Sequence, residues 1–403
     1  MAKKDKYLVG LDIGSTKTCV LLAEIENEQV RFLALGAAES KGLRKGLIVN
    51  LDSTVSSIRR AVEEAESVAN IPVEAATIGV AGSHVRGVNS RGGIPLGPRP
   101  RDIERDDLRR AIDAARNISL PDDREVLHVL PHEFIVDAQD GIRDPVGMIG
   151  QRLEANVHIV TSSIAATQNL VTAANKAGIL INDTVLEPLA AAEACLTQDE
   201  RELGCCLLDI GGGTTELIVY GGGVVRHTGG VAIGGDHFTN DLAVGLRTPI
   251  PEAEKIKRHH GCASANLLRQ DNSIEIASVG DRPPRTIFSR MLTDIIEPRA
   301  QELLALIADD LRRAGLDSQI PAGLVLAGGG ARLNGFAEFA EQGFHLPVRI
   351  AEPRGIQDLP EQVAQPEYAT AVGLVLYAAK ARRNAQQRSG NFVAKLKSMF
   401  VGA

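Results

Sequence analysis

LVGLDIGSTKT, residues 8–18, and CCLLDIGGGTT, residues 205–215, decide the fold. Asp12, Ile13, Gly14 and Thr18 of the first return as Asp209, Ile210, Gly211 and Thr215 of the second, at a constant offset of 197 positions (209 − 12). In each copy a short apolar run ends at Asp, turns through small residues and resumes, as Cys19 to Ile25 in one and Glu216 to Tyr220 in the other. Runs this short, punctuated by Gly, Ser and Thr, predict a β-hairpin rather than a helix. A third strand, Gly323 to Ala327, runs into Gly328, Gly329 and Gly330.

Helical periodicity surrounds these strands. Val55, Ile58, Val62, Ala65 and Ala69 predict a helix over 53–70, and opposite charges at i,i+4 predict another over 103–117. Further helices are expected over 166–177, 189–196, 238–245, 252–261, 291–313 and 369–383. Strands alternating with helices indicate an α/β architecture, and 403 residues exceed what one hydrophobic core usually supports. A net charge of -7 speaks against broad nucleic-acid binding, which needs a basic surface. The five cysteines show no paired spacing, and Cys205 and Cys206 sit in an apolar run, which fits a reducing compartment. The N-terminus shows no signal peptide, and no run reaches the ~18 apolar residues of a membrane span.

The glycine turns suggest a phosphate clamp. Nucleotide phosphates call for backbone N–H groups at close approach and for a divalent ion to offset charge. If the halves pack pseudo-symmetrically, Asp12 and Asp209 face each other across a cleft and orient Mg²⁺ through water. Gly14, Ser15, Thr16 and Lys17 then serve the β- and γ-phosphates from one side, and Gly211, Gly212, Gly213 and Thr214 from the other. One such turn alone would be an ordinary tight hairpin; two matched copies and a third Gly-rich strand end favour the site. Neither a P-loop nor a dinucleotide fingerprint is present.

These turns resemble the phosphate and adenosine motifs of the actin, heat-shock chaperone and sugar-kinase superfamily. VLEPLAAAEA (185–194) resembles its first connecting helix and YATAVGLVLYA (368–378) its second. The resemblance implies an actin-like (ribonuclease H-like), two-lobed ATPase fold with duplicated β-sheet cores. Within the superfamily, GIRDPVGMIGQRLEANVHIVT (141–161), AIGGDHFTNDLA (232–243) and VGDRPPR (279–285) resemble the FtsA family of bacterial division proteins. That implies subdomain 1A over 1–83 and 163–200, with the inserted FtsA-type subdomain 1C over 84–162. It further implies 2A over 201–245 and 299–366, 2B over 246–298, and a return helix to 1A over 367–383.

By the same resemblance Asp12 and Asp209 are metal-orienting acids and Glu187 positions an attacking water. A carboxylate followed by Pro188 is also simply favoured at a helix N-terminus. Glu254 and Lys257 resemble the pair that contacts ribose and adenine in filament-forming relatives, although an i,i+3 ion pair needs no ligand. Gly234 and Gly235 precede a helix whose N-terminal amides suit a phosphate. ATP and Mg²⁺ are the implied cofactors, with binding alone or weak hydrolysis equally compatible.

From Lys380 the sequence turns polar, and 384–390 reads as a flexible linker. Beyond it, Phe392, Val393, Leu396, Met399, Phe400 and Ala403 fall within an arc of about 120° on a helical wheel, flanked by Lys395 and Lys397. Such an apolar face edged by lysines suits the membrane–water interface, and docking on the protein's own body is the alternative. The family resemblance makes 391–403 an amphipathic membrane-targeting helix, placing a peripheral protein on the cytoplasmic face of the inner membrane at the septum. The implied function is a nucleotide-gated scaffold that polymerises with copies of itself, tethers FtsZ by its C-terminal tail, and recruits other division proteins. Arg282, Arg285 and Arg290 in 2B are candidates for that acidic peptide, or form a solvated loop. The competing readings are a phosphotransferase of the sugar-kinase branch and a PilM-like pilus-assembly ATPase.

Overall fold

The computed structural model describes residues 6–280 and 282–400, with side chains as far as 385. The two hairpins form as Tyr7–Ile13 with Lys17–Glu26 and Cys205–Ile210 with Thr215–Gly221. Each seeds a five-stranded sheet with the same plan. In the first, Leu180–Leu186, Ala75–Val80 and Tyr7–Ile13 run parallel, and Lys17–Glu26 and Gln29–Glu39 follow as an antiparallel meander. In the second, Val348–Ile350, Leu324–Ala327 and Cys205–Ile210 are parallel, and Thr215–Gly221 and Val224–Val231 complete the meander. The central strands are apolar apart from Asp12 and Asp209 near their ends, as suits strands covered by helices. The duplicated cores expected from the repeat are therefore present, one per lobe.

The helix Glu187–Cys195 and the helix beginning at Ala369 lie between the two sheets. Leu21 of the first sheet, Leu207 of the second, and Ala191 and Val372 of the helices share one buried cluster. The helices touch backbone to backbone: a Cβ added at Gly373 would lie 1.8 Å from the Ala190 carbonyl oxygen; the second helix also lies close on the strand Tyr7–Ile13, where one at Gly10 would lie 2.8 Å from the Ala371 carbonyl oxygen.

The inserted subdomain is a separate layer. Its sheet orders Gln139–Ile142, Arg124–Val136, Arg152–Ser163 and Arg86–Pro95. The helix Arg105–Arg116 closes over it, around a core that includes Ile94, Phe134, Leu153 and Val157. The smaller part of the second lobe holds the helix Ile250–His260 and the hairpin Ser273–Ile276 with Arg285–Phe288.

Some expectations change. The helix from Ala369 runs unbroken to Phe400, so 384–390 is helical backbone and not a flexible linker. Its Ala, Gln and Arg residues are good helix formers, and Gly390 alone weakens the run. The helix Ser289–Arg313 continues through Pro298 and so crosses the expected 298/299 boundary. Two helices, Gln198–Leu203 and Phe336–Phe344, are absent from the sequence reading. The side chains assigned to the membrane face, Phe392, Val393, Lys395, Leu396, Lys397, Met399 and Phe400, lie outside the described residues. No described helix is long and apolar enough to cross a membrane.

The Gly373 contact yields a test. Gly373→Ala drives a methyl into the Ala190 backbone, which outweighs the usual gain from Ala in a helix and is expected to cost about 1–3 kcal/mol. Gly343→Ala, whose methyl would meet only Leu304 Cδ1 at 3.7 Å, is expected to be neutral or stabilising. Urea unfolding of both variants checks this, and equal stability of the two would refute the contact.

Candidate functional site

Both Asp-bearing turns close by the same bond: the Gly14 N–H donates to the Lys17 carbonyl (3.0 Å) and the Gly211 N–H to the Thr214 carbonyl (2.9 Å). The turns meet across the gap between the lobes. A Cβ at Gly212 would lie 2.0 Å from Thr16 Oγ1, and one at Gly213 2.7 Å from Ser15 Oγ. Gly328, at φ +78°, comes equally close to Asp209, whose Oδ1 would be 2.5 Å from an added Cβ. Side chains at Gly212 and Gly213 would force the lobes apart, and one at Gly328 would collide with the neighbouring strand of the second lobe, which is the physical reason for glycine there.

Between the turns lies a cavity of about 570 Å³, within the usual range of small-ligand sites. Apart from Gly234, every residue assigned to the nucleotide from the sequence lines it. The amides at the start of the helix Gly235–Leu246 behave otherwise than expected. The Gly235 N–H donates to the Gly211 carbonyl (2.9 Å), that of Asp236 to the Gly212 carbonyl (2.8 Å) and that of Gly234 to His237 Nδ1 (3.1 Å). They brace the second turn and are not free for a phosphate.

Lys17 Nζ donates to the Glu367 carbonyl at 2.8 Å and sits 3.4 Å from the centre of the Tyr368 ring, so its charge engages the start of the second connecting helix. Lys257 Nζ pairs with Glu254 (2.6 Å) and donates to the Gly235 carbonyl (2.9 Å) and Thr239 Oγ1 (2.8 Å). This network ties the helix Ile250–His260 to the one bearing Gly235 and sets one wall of the cavity.

Acidic groups dominate the floor. Burial raises Asp12 to about 6, against the pull of Lys17, with Asp209 repelling it further. Burial also raises Asp209, opposed by the Thr370 hydroxyl, which donates to its Oδ2 at 2.9 Å. Glu187, at the first turn of its helix, is raised well above the carboxylate range by burial and then by Asp12, Glu216 and Asp209. Glu216, which the sequence reading left out, is buried, pushed up to about 8 by burial and by Asp209, and its Oε1 has no hydrogen-bond partner. Its signal was in the repeat: Glu216 is the cross-strand partner of Asp209, as Cys19 is of Asp12. In the first copy the Cys19 thiol instead donates to Asp12 (3.6 Å). Tyr368 and Thr370 were also missed, because they reach the site from a helix 350 residues away in sequence from Lys17.

The three arginines assigned to a partner peptide are exposed at the tip of the second lobe. Arg285 donates to the Leu246 carbonyl and Arg290 pairs with Asp294 (3.0 Å). Beside them Phe288 and Met291 are 57% and 49% exposed, an apolar element that the sequence reading did not include.

Comparison with known proteins follows the same lines. Residues 206–373 match the family described as "Cell division protein FtsA", and residues 82–161 match the "SHS2 domain inserted in FTSA". The cell division protein FtsA of Pseudomonas aeruginosa is 44% identical over 373 residues, covering 92% of this chain and 89% of that protein. The chain belongs to the FtsA family of cell division proteins. FtsA of Escherichia coli K12 is 36% identical over 94% of this chain and 92% of its own length, and that of Bacillus subtilis 35% over 94% and 85%. Among solved structures, a PilM–PilN type IV pilus biogenesis complex aligns with a TM-score of 0.67 at 18% identity, covering 92% of this chain and 98% of the other. MreB5 of Spiroplasma citri bound to ADP aligns at 0.58 and 14% identity, over 94% and 98%. At such identities these two speak for the actin-like fold alone.

The raised carboxylates fix a pH dependence. An acid whose pKa is higher folded than unfolded gives stability that is full below the unfolded value and is lost as pH rises through the folded one. With Asp12 at about 6 and Glu216 at about 8, the nucleotide-free protein is expected to lose stability between about pH 4 and 8, each group adding up to about 1.4 kcal/mol per pH unit. Glu216→Gln should flatten the alkaline part of that curve in urea titrations at pH 6 and 8.5; an unchanged slope would contradict the assignment.

Proposed function

We propose that the interlobe cleft binds ATP with Mg²⁺, that the nucleotide governs self-association into filaments, and that these filaments join FtsZ to the cytoplasmic face of the inner membrane at the division septum. The observation that carries this reading is the pair of matched Asp-bearing turns closed on one another by glycines. Buried carboxylates without a neutralising ion pair of their own, with an orphaned Glu216 oxygen among them, fit a site that receives positive charge. MreB5, which shares the fold, has been solved with ADP and with AMPPNP.

Among the described residues no group of three His, Cys, Asp or Glu is placed to hold a metal directly, so Asp12 and Asp209 would hold Mg²⁺ through its water shell. The ion supplies charge to offset the phosphates and the acidic floor. Ser15, Thr16 and Lys17 bind phosphate oxygens from one lobe, and the amides of Gly211 to Gly213 and the Thr214 hydroxyl from the other. Gly328, Gly329 and Gly330 let the nucleotide approach the third strand end, and Glu254 and Lys257 hold the nucleoside. Glu187 keeps its proton in the nucleotide-free cleft, where neighbouring carboxylates disfavour its charge. Positive charge entering the cleft lowers its pKa, and it then accepts the proton of an attacking water. Such dependence on loading fits weak or regulatory hydrolysis.

Arg282 and Arg290 with exposed Phe288 and Met291 form a face suited to an acidic peptide carrying apolar side chains, the chemistry proposed for the FtsZ tail. The amphipathic face over 391–403 provides one weak anchor per chain, and a filament sums many of them. Other division proteins would be recruited to this assembly. Identity of 35–44% to FtsA proteins over most of the chain favours this reading over a sugar-kinase-type phosphotransferase or a PilM-like pilus ATPase.

Two measurements test it. Lys257→Ala is expected to weaken ATP binding about 10-fold, the worth of one charge-assisted contact, read by titration of a fluorescent ATP analogue; unchanged affinity would remove Lys257 from the site. Full-length protein with Mg-ATP should co-sediment with anionic liposomes, and a truncation after Gly390 should stay in the supernatant. If both forms remain soluble, the membrane role fails.

A further inference from the structure

A histidine of the inserted subdomain reaches the backbone that carries Glu187. His128, on the strand Arg124–Val136, accepts the Leu186 N–H at its Nε2, 3.0 Å away. Leu186 is at once the last residue of the strand Leu180–Leu186 and the N-cap of the helix Glu187–Cys195. That strand is an edge of the first sheet, and Leu186 is buried there. A buried N–H needs an acceptor, and this one comes from another subdomain, 58 residues away in the chain.

The ring is committed to this bond. Accepting at Nε2 puts the proton of the neutral imidazole on Nδ1, and burial lowers the pKa of His128 to about 4, so at neutral pH Nε2 offers a lone pair. The ring also meets Tyr377 of the helix beginning at Ala369 edge-on, with centres 6.2 Å apart and planes at 63°. His128 thus stands between the inserted subdomain and both connecting helices. The Glu187 side chain is confined as well: a Cβ at Gly79, on the strand Ala75–Val80, would lie 2.7 Å from Glu187 Cγ and 3.0 Å from its Oε1. His128 does not line the cleft, so its influence there runs through the peptide it holds.

We propose that His128 is a positioning residue for Glu187, fixing the peptide from which that carboxylate follows and so tying the seat of the inserted subdomain to the chemistry of the cleft. The inference rests on the reading of Glu187 as the group that accepts a proton from the attacking water. A shift of the inserted subdomain breaks the bond to Leu186 and frees the first turn of the helix. A misplacement of about 1 Å costs a reaction on the order of 100-fold, so loss of this bond is felt in turnover and not in nucleotide binding.

The test sets Mg-ATP hydrolysis by the full chain and its variants beside hydrogen exchange over 184–188 in the nucleotide-free protein. His128→Phe keeps a ring against Tyr377 and removes the acceptor. Its kcat should fall about 10-fold or more with KM for ATP within about 2-fold, and exchange over 184–188 should quicken about 10-fold. His128→Gln, whose Oε1 can take the place of Nε2, should return both to within about 3-fold of the unmodified chain. If His128→Phe does not fold, His128→Asn, too short to reach Leu186, carries the same expectation. Turnover left intact by these variants, KM rising as much as kcat falls, or no rescue by Gln would overturn the proposal. Glu187→Gln separates it from the reading beneath: if the unmodified chain does not hydrolyse ATP, or Glu187→Gln does so as fast, that reading fails and the inference with it. Loss in Glu187→Gln without loss in His128→Phe refutes the role of His128 alone.

Discussion

Four carboxylates, Asp12, Glu187, Asp209 and Glu216, line one cleft and are themselves buried, and the rest of the molecule is arranged around holding them there. Their mutual repulsion and burial oppose closure of the lobes. The opposing forces are local and named: Lys17 near both aspartates, the Thr370 hydroxyl on Asp209, and the apolar cluster shared by the sheets and the two connecting helices. The charge of these four groups is thus only partly compensated by the chain itself. Function in this fold begins as unresolved charge.

The glycines are the second element of that design. At Gly212 and Gly213 the two lobes approach to distances that no side chain permits, and at Gly328 the third strand end approaches its neighbour in the second lobe as closely. The same economy appears at Gly87, where a Cβ would lie 2.5 Å from Thr228 Oγ1 across the seam between the inserted subdomain and the second lobe. In both places small residues convert the arrangement of the parts into contact geometry.

The fold and most of the cleft were legible in the sequence because duplication makes them redundant: two turns with one spacing predict two lobes and a gap between them. Illegible were the contributions that depend on distance in the chain. Tyr368 meets Lys17 of the first turn, and Thr370 meets Asp209 across 161 residues of chain. The amides after Gly234 looked available from local sequence and proved to be spent on the second turn, since a hydrogen bond to a carbonyl 24 residues earlier leaves no local mark. Glu216 could have been found by comparing the copies past Thr215, where Cys19 stands opposite a carboxylate. The linker over 384–390 was misread because polar composition reports the lack of a buried face, not the lack of helix.

The crossing of the connecting helices at Gly373 and Ala190 has a mechanical meaning. With backbone against backbone at one spot, and buried alanines and valines packed along both helices around it, the pair has no room to slide without a clash. Any change in the angle between the lobes that carry the two Asp-bearing turns therefore has to pivot near Gly373.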